Sequence, residues 1–308
     1  MIRIAKVHAR WRCLGIVFIL SVSFLFAQQP PKINNLELPV ITGRDEVVKH
    51  LGYTLSYNEK NEQANWVAYE LTAGETFKTV NRSDDFRPDD DVRTGSATNA
   101  DYKGMGYDRG HLAPAADMGW STTSMQESFF YSNMSPQVSG FNRGVWKRLE
   151  EQVRQWAVDN HAIYVVTGPL LPEHLPTIGA NKVSVPRYYY KVILDYTSPE
   201  LKGIGFILPN ASSSLPLRSF VVTIDYVEKM TGIDFFPALP DAQEQKIEKS
   251  VCADCWSWNT TSTRSRQTVH SKSATVRCIG ITQAGNRCKR MTSRPSGACA
   301  QHEKKYGI

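Results

Sequence analysis

Past residue 27 the 308-residue sequence has no long apolar run and no internal repeat, and only five cysteines remain. Without a second apolar stretch, the mature chain is expected to be soluble, with no stable membrane partner. Acid is missing from both ends: residues 1–27 contain none, and residues 259–308 contain only Glu303. At 41% hydrophobic and 21% charged residues, the composition excludes wholesale disorder, collagen and coiled coil. The formal net charge of +6 is therefore a sum of unlike parts. The N-terminal segment carries +4, the tail carries +9, and residues 28–258 carry 22 basic against 29 acidic residues.

The first part is read as a targeting segment. Arg3, Lys6, Arg10 and Arg12 precede an apolar run from Cys13 to Ala27, and Pro30-Pro31 closes it. A basic start, an apolar run shorter than the roughly 20 residues of a membrane span, and a helix-breaking exit describe a signal peptide over 1–27. The chain is therefore expected to be exported, to a periplasmic or extracellular location. Leu25 is poor at the position three before the cut, which keeps an uncleaved membrane anchor as the alternative.

Residues 28–258 are expected to form one α+β domain around a mixed central sheet. Short apolar runs predict strands at Tyr53–Tyr57, Asn65–Leu71, His161–Thr167, Arg187–Asp195 and Gly203–Leu208. Helical spacing of Val145, Leu149, Val153 and Trp156 predicts a helix over Arg143–Val158, and Phe220, Ile224 and Val227 predict another over Leu217–Thr231. Strands do not alternate strictly with helices, which disfavours a doubly wound parallel fold.

The chemistry is concentrated between Arg82 and Glu150. An Asp108-Arg109-Gly110-His111 run places three strongly polar side chains about a glycine in apolar surroundings. Downstream lie Ser132-Asn133-Met134-Ser135-Pro136-Gln137 and Phe141-Asn142-Arg143-Gly144-Val145-Trp146, and upstream lie Asn81-Arg82 and Asn99-Ala100-Asp101-Tyr102. These motifs, in this order, with Val185-Pro186 and Lys191 further on, resemble the DNA/RNA non-specific endonuclease family and its ββα-metal nuclease motif. The resemblance spans residues 35 to 258.

Phosphodiester hydrolysis needs an activated water, charge relief at phosphorus and help for the departing 3′-oxygen. His111 is the one histidine of the region, and its ordinary pKa suits a general base; the resemblance implies that role. Asn142 offers a neutral amide oxygen to Mg²⁺ or Mn²⁺, hard cations that keep several waters, and the resemblance makes it the main direct ligand. Glu150 lies about 80° around and roughly 12 Å along a regular helix from Asn142. It is expected to reach the metal through water or to orient the neighbours of Asn142. Arg82 and Arg109 can place guanidinium groups on phosphate oxygens, with Arg82 preferred at the transition state and Arg109 shared between phosphate contact and hairpin support.

Other residues have plainer readings. Asn142 doubles as a candidate N-cap, Asn133 as a structural hydrogen-bonding residue, and Asp108 as an orienting carboxylate. The run Tyr188-Tyr189-Tyr190 reads as strand packing, and Asp89-Asp90-Asp91 as a solvated loop without calcium-loop spacing.

The C-terminal part is a separate signal. Residues 259–276 read as a Ser/Thr-rich basic linker. In 277–308, Cys278, Cys288, Cys299 and His302 match a Cys3His set for a structural Zn²⁺ in a segment too short to build its own core. Export favours disulfides instead, and zinc is preferred over that rival. Cys252 and Cys255 are expected to pair locally or to join a second metal site.

The whole predicts an exported Mg²⁺-dependent endonuclease that hydrolyses DNA and RNA without sequence preference and leaves 5′-phosphates. The basic tail would grip phosphates non-specifically. The alternative is a non-catalytic nucleic-acid-binding protein that keeps the fold and uses the basic tail to grip. A homodimer and an inhibitor protein are left open.

Overall fold

The computed structural model describes residues 30–43, 45–199, 201–258, 276–277, 288–292 and 299–301. The expected signal segment 1–27, most of the expected linker (259–275), Cys278 and His302 lie outside the described residues. The elements run β1 (Glu46–Lys49), β2 (Thr54–Asn58), β3 (Gln63–Thr72), α1 (Asn99–Tyr102), β4 (Asp108–His111), α2 (Thr122–Glu127), β5 (Met134–Gln137) and α3 (Lys147–Asp159). They continue with β6 (Ala162–Pro169), β7 (Thr177–Ile178), β8 (Val183–Ser184), β9 (Tyr188–Asp195), β10 (Lys202–Pro209), β11 (Val221–Val222), α4 (Ile224–Thr231), α5 (Asp241–Lys249), β12 (Val276–Arg277) and β13 (Met291–Thr292).

All five predicted strands form, and they build a seven-stranded sheet in the order β1-β2-β3-β6-β9-β10-β11. The α+β architecture holds. Every neighbouring pair in this sheet is antiparallel, a narrower arrangement than the mixed sheet expected. Both faces are covered, which is why the central strands are apolar at successive positions. Alternate residues serve opposite cores, because side chains of a strand alternate between faces. Val67, Tyr69, Ile163, Val165 and Ile193 meet α3 through Leu149, Val153 and Trp156. Trp66, Ala68, Tyr164, Val166, Val192 and Leu194 meet α4 and α5 through Ile224, Val227 and Ile247. Tyr188, Tyr189 and Tyr190 are all buried in these cores, as the strand-packing reading required.

The two predicted helices are each shorter than their apolar spacing. In the first, the chain makes a wide, irregular turn over Phe141–Trp146 before α3 starts at Lys147. Gly144 sits there at φ −109°, ψ −108°, a conformation outside the helical region that glycine tolerates best. In the second, Leu217–Phe220 is a 3₁₀ turn and Val221–Val222 pairs with β10 as an edge strand. Only then does α4 begin, capped by the Thr223 hydroxyl accepting from the Tyr226 amide and ended by Gly232 at φ 75°. The β-branched pair Val221-Val222 favours the strand over continued helix.

The end of the domain is fastened to α3. Trp156 packs its ring against Trp256 at 4.7 Å and Trp258 at 5.2 Å between centroids. Cys252 and Cys255 form a disulfide just before these tryptophans, the local pairing that was one of the two expectations. No helix among the described residues is long and apolar enough to cross a membrane.

Candidate active site

β4 and β5 form a separate antiparallel pair, with Asp108 opposite Gln137 and His111 opposite Met134, and α3 follows after the irregular turn. This is a strand–strand–helix unit, and it fixes the spacing of the polar residues. Gly110 is required within it: a Cβ there would come within 2.1 Å of the Gln137 side chain. The Asp-Arg-Gly-His run therefore alternates between two faces of a strand whose third position has no room for a side chain.

Asp108 is the anchor of the site. Arg143 donates to both of its oxygens at 2.9 Å, and Asn142 Nδ2 donates to Oδ2 at 2.9 Å. Burial pushes the Asp108 carboxyl up, but the hydrogen bonds from Arg143 and Asn142 outweigh it and hold the group below the usual range. An ionised carboxylate only accepts, so the nitrogen of the Asn142 amide must face it and the carbonyl oxygen is turned away. The orienting role expected for Asp108 is present. Asn142 lies inside the irregular turn, whose N-cap is Gly140, so the N-cap reading of Asn142 is corrected.

His111 is held under the cleft by two aromatic rings. Its imidazole is edge-on to Phe129 at 4.9 Å and to Phe86 at 5.9 Å between centroids. Each ring also carries a guanidinium: Arg82 lies over Phe129 at 4.7 Å and Arg109 over Phe86 at 4.0 Å. Burial, then the charges of Arg82 and Arg109, push the His111 pKa down to about 3. The ring is thus neutral at pH 7, and its buried Nε2 has no hydrogen-bond partner. The two guanidinium groups and the Phe86 ring line a cavity of about 550 Å³ whose walls also include Lys103, Asn142 and Arg143. Arg82 also pairs with Asp84 at 2.6 Å, and Arg109 donates to Asn99 Oδ1 at 3.1 Å.

Residues 34–242 match the family described as DNA/RNA non-specific endonuclease. The chain belongs to that family. Mitochondrial endonuclease G of Bos taurus is 36% identical over 212 residues, covering 64% of this chain and 71% of that protein. Nuclease C1 of Cunninghamella echinulata var. echinulata is 39% identical over 219 residues, covering 64% and 85%. A crystal structure of the EndoG/EndoGI complex superposes with a TM-score of 0.62 at 36% identity, over 66% of this chain and 90% of that one. The protein is a metal-dependent endonuclease of the ββα-metal kind.

In this endonuclease the structure gathers Arg82, Arg109 and Asn142 at the cleft with His111 beneath them, and places Glu150 elsewhere. The kink at Gly144 breaks the regular wheel on which Glu150 would follow Asn142. Glu150 instead belongs to a charged cluster under the sheet face of α3. Burial pushes its carboxyl up, opposed by Lys191 and Arg154 and reinforced by Asp117. Lys191 is fully buried, donates to the Thr167 hydroxyl and lies 5.0 Å above the Trp146 ring. Asp117 receives Arg154 at 2.7 Å and the Tyr69 hydroxyl at 2.8 Å. Arg154 follows Glu150 by four residues, the spacing that puts both on one helical face. Phe86, Phe129, Lys103 and Arg143 were missed, since nothing local distinguishes them from packing or surface residues.

The donor set suits a hard cation. The free oxygen of Asn142 is a neutral ligand, and the clusters of three or more His, Asp or Glu ligands among the described residues include no cleft residue. A metal there would take few protein ligands and keep its waters, as Mg²⁺ does. Asn133 is structural, as expected: fully buried, it accepts from the Ala113 amide and donates to the Ala113 and Ser128 carbonyls. The Asp89–Asp91 expectation needs correction. Asp90 and Asp91 are exposed, but Asp89 is buried and accepts from His50 Nε2 at 3.0 Å and from the Ser132 hydroxyl.

Proposed function

We propose that this endonuclease is exported, uses Mg²⁺, cleaves DNA and RNA without sequence preference and leaves 5′-phosphates. The observation that carries the reading is the neutral, unpartnered Nε2 of His111 beside a cleft walled by guanidinium groups and the Asn142 oxygen. Neutral His111 takes a proton from water at Nε2 as that water attacks phosphorus. Arg82 and Arg109 place positive charge on the phosphate oxygens, and their aromatic platforms fix where those charges lie. Asn142 would hold the metal through its carbonyl oxygen, with Asp108 setting the amide's orientation. When bound, Mg²⁺ supplies charge to the scissile phosphate and the leaving oxygen.

The cleft lining carries the cations Arg82, Lys103, Arg109 and Arg143, which suit phosphate contacts that carry no sequence information, and this supports cleavage without sequence preference. The experiment is digestion of supercoiled plasmid and of structured RNA with Mg²⁺, then with EDTA, followed by end-group analysis. Cleavage of both substrates, abolished by EDTA, with phosphatase-sensitive 5′ ends supports the reading. Products carrying 3′-phosphates, or full cleavage in EDTA, refute it.

For the tail, we propose the Cys3His zinc site. Cys288 and Cys299 are buried with their Sγ atoms 3.9 Å apart. That is too long for a disulfide and close to the roughly 3.8 Å between two thiolates on one tetrahedral zinc with Zn–S near 2.3 Å. Both cysteines pack into the core on the α4–α5 side of the sheet. The purified full chain should carry one equivalent of zinc, lost on Cys288→Ser. A zinc-free protein would contradict the site.

A further inference from the structure

The face of the sheet remote from α3 brings five carboxylates together. Asp225 and Glu228 are three residues apart on α4, Glu244 and Glu248 are four apart on α5, and Asp234 lies in the connection. Hydrophobic docking forces this meeting. Ile224 and Ile247, each next in sequence to one of these acids, converge on Gly203 of β10, where a Cβ would lie 2.6 Å from both side chains. Glycine at that position lets both helices seat close to the sheet, and their acids are carried in with them.

The ligand oxygens are close enough to share one ion. One oxygen each from Asp225, Glu228 and Glu248 lies within 4.8 Å of the others, and the same holds for Asp234, Glu244 and Glu248. Glu248 belongs to both sets and forms the floor, at 7% exposure. Its Oε1 is buried without a hydrogen-bond partner, and so is Oε1 of Glu244. A buried carboxylate oxygen left unpartnered costs free energy unless a cation or donor meets it. Glu228 Oε1 accepts from the Phe235 amide at 2.9 Å, which fixes the connecting loop against the cluster.

We propose that this cluster is a binding site for a hard divalent cation, Ca²⁺, held by the triad Glu248, Asp225 and Glu228, and that the ion clamps α4 to α5. Calcium takes six to eight oxygen ligands in flexible geometry, which several carboxylates and a few waters supply, whereas Mg²⁺ demands a tighter octahedron. Asp225 and Asp234 reach toward solvent while Glu248 is buried, so the ion has an entry path and a closed floor. None of the five residues lines the catalytic cleft.

The test uses the full chain carrying Asn142→Ala, which weakens the catalytic metal site, stripped with EGTA. Calorimetric titration with Ca²⁺ should show one site, and 100 Kd of calcium should raise Tm by roughly 5 °C or more. Glu248→Gln in that background should abolish both signals. Glu248→Gln alone should leave the Mg²⁺-dependent cleavage rate unchanged. If Glu248→Gln does not fold, Asp225→Asn, at the solvent side, replaces it. No calcium-dependent rise in Tm, or a rise that survives these substitutions, overturns the proposal. A Glu248→Gln protein more stable than its parent in saturating calcium overturns it too, because the cluster would then be only a repulsive acidic patch.

Discussion

The His111 imidazole stands edge-on to the Phe129 ring, with centroids 4.9 Å apart and planes at 87°, and Arg82 lies over that same ring. One aromatic side chain thus seats the imidazole proposed as the general base and steadies a guanidinium at the cleft. Phe129→Leu keeps most of the buried volume but removes the π face under Arg82. A cation–π contact at a partly exposed site is worth about 1 kcal/mol. Steady-state cleavage assays should therefore show kcat/KM lower by about fivefold, with the protein still folded.

Asp108 sets the direction of the Asn142 amide. In Asp108→Asn an NH₂ group can face the Asn142 NH₂, and Arg143 loses its charge partner. Outer-shell changes of this kind cost about 10–100-fold in metal affinity. The Mg²⁺ concentration for half-maximal cleavage should rise within that range. An unchanged Mg²⁺ requirement would show that Asp108 serves the hairpin alone.

The depressed His111 pKa makes a stability prediction. The group titrates near 3 when folded and at the ordinary 6.5 when unfolded. Between those values the unfolded chain binds the proton and the folded one does not, so stability is lost as pH falls from 6.5 toward 3. His111→Gln lacks that loss. Urea denaturation should show the variant gaining on the parent by on the order of 3 kcal/mol between pH 7 and pH 4.

Gly110→Ala should destabilise the hairpin, because its Cβ would meet Gln137 at 2.1 Å. Overpacking of this sort costs about 1–3 kcal/mol. The double variant with Gln137→Ala should recover most of the lost Tm. If it does not, the glycine is needed for another reason.

Much of this was legible in the sequence, and the gaps have physical causes. The five central strands could be read because each buries both faces, so Ile163–Val166 or Gly205–Leu208 are apolar without interruption. The strand character of Asp108–His111 could not, since its polar content hides a pairing made with a partner over twenty residues away. His111, Arg82, Arg109 and Asn142 were visible as residue types in an unusual run and do converge. Glu150 was extrapolated on an ideal helix, and Gly144 broke that helix. The Phe86 and Phe129 platforms, and the Glu150–Lys191–Arg154–Asp117 cluster, depend on tertiary neighbours that spacing does not encode.

In the proposed reaction His111 removes the proton from the attacking water. The most direct measurement is the single-turnover cleavage rate of His111→Ala against the parent at saturating Mg²⁺ and pH 7.5. Loss of a positioned general base predicts a rate lower by about 10²–10⁴-fold with substrate binding retained. A rate within tenfold of the parent would contradict the mechanism.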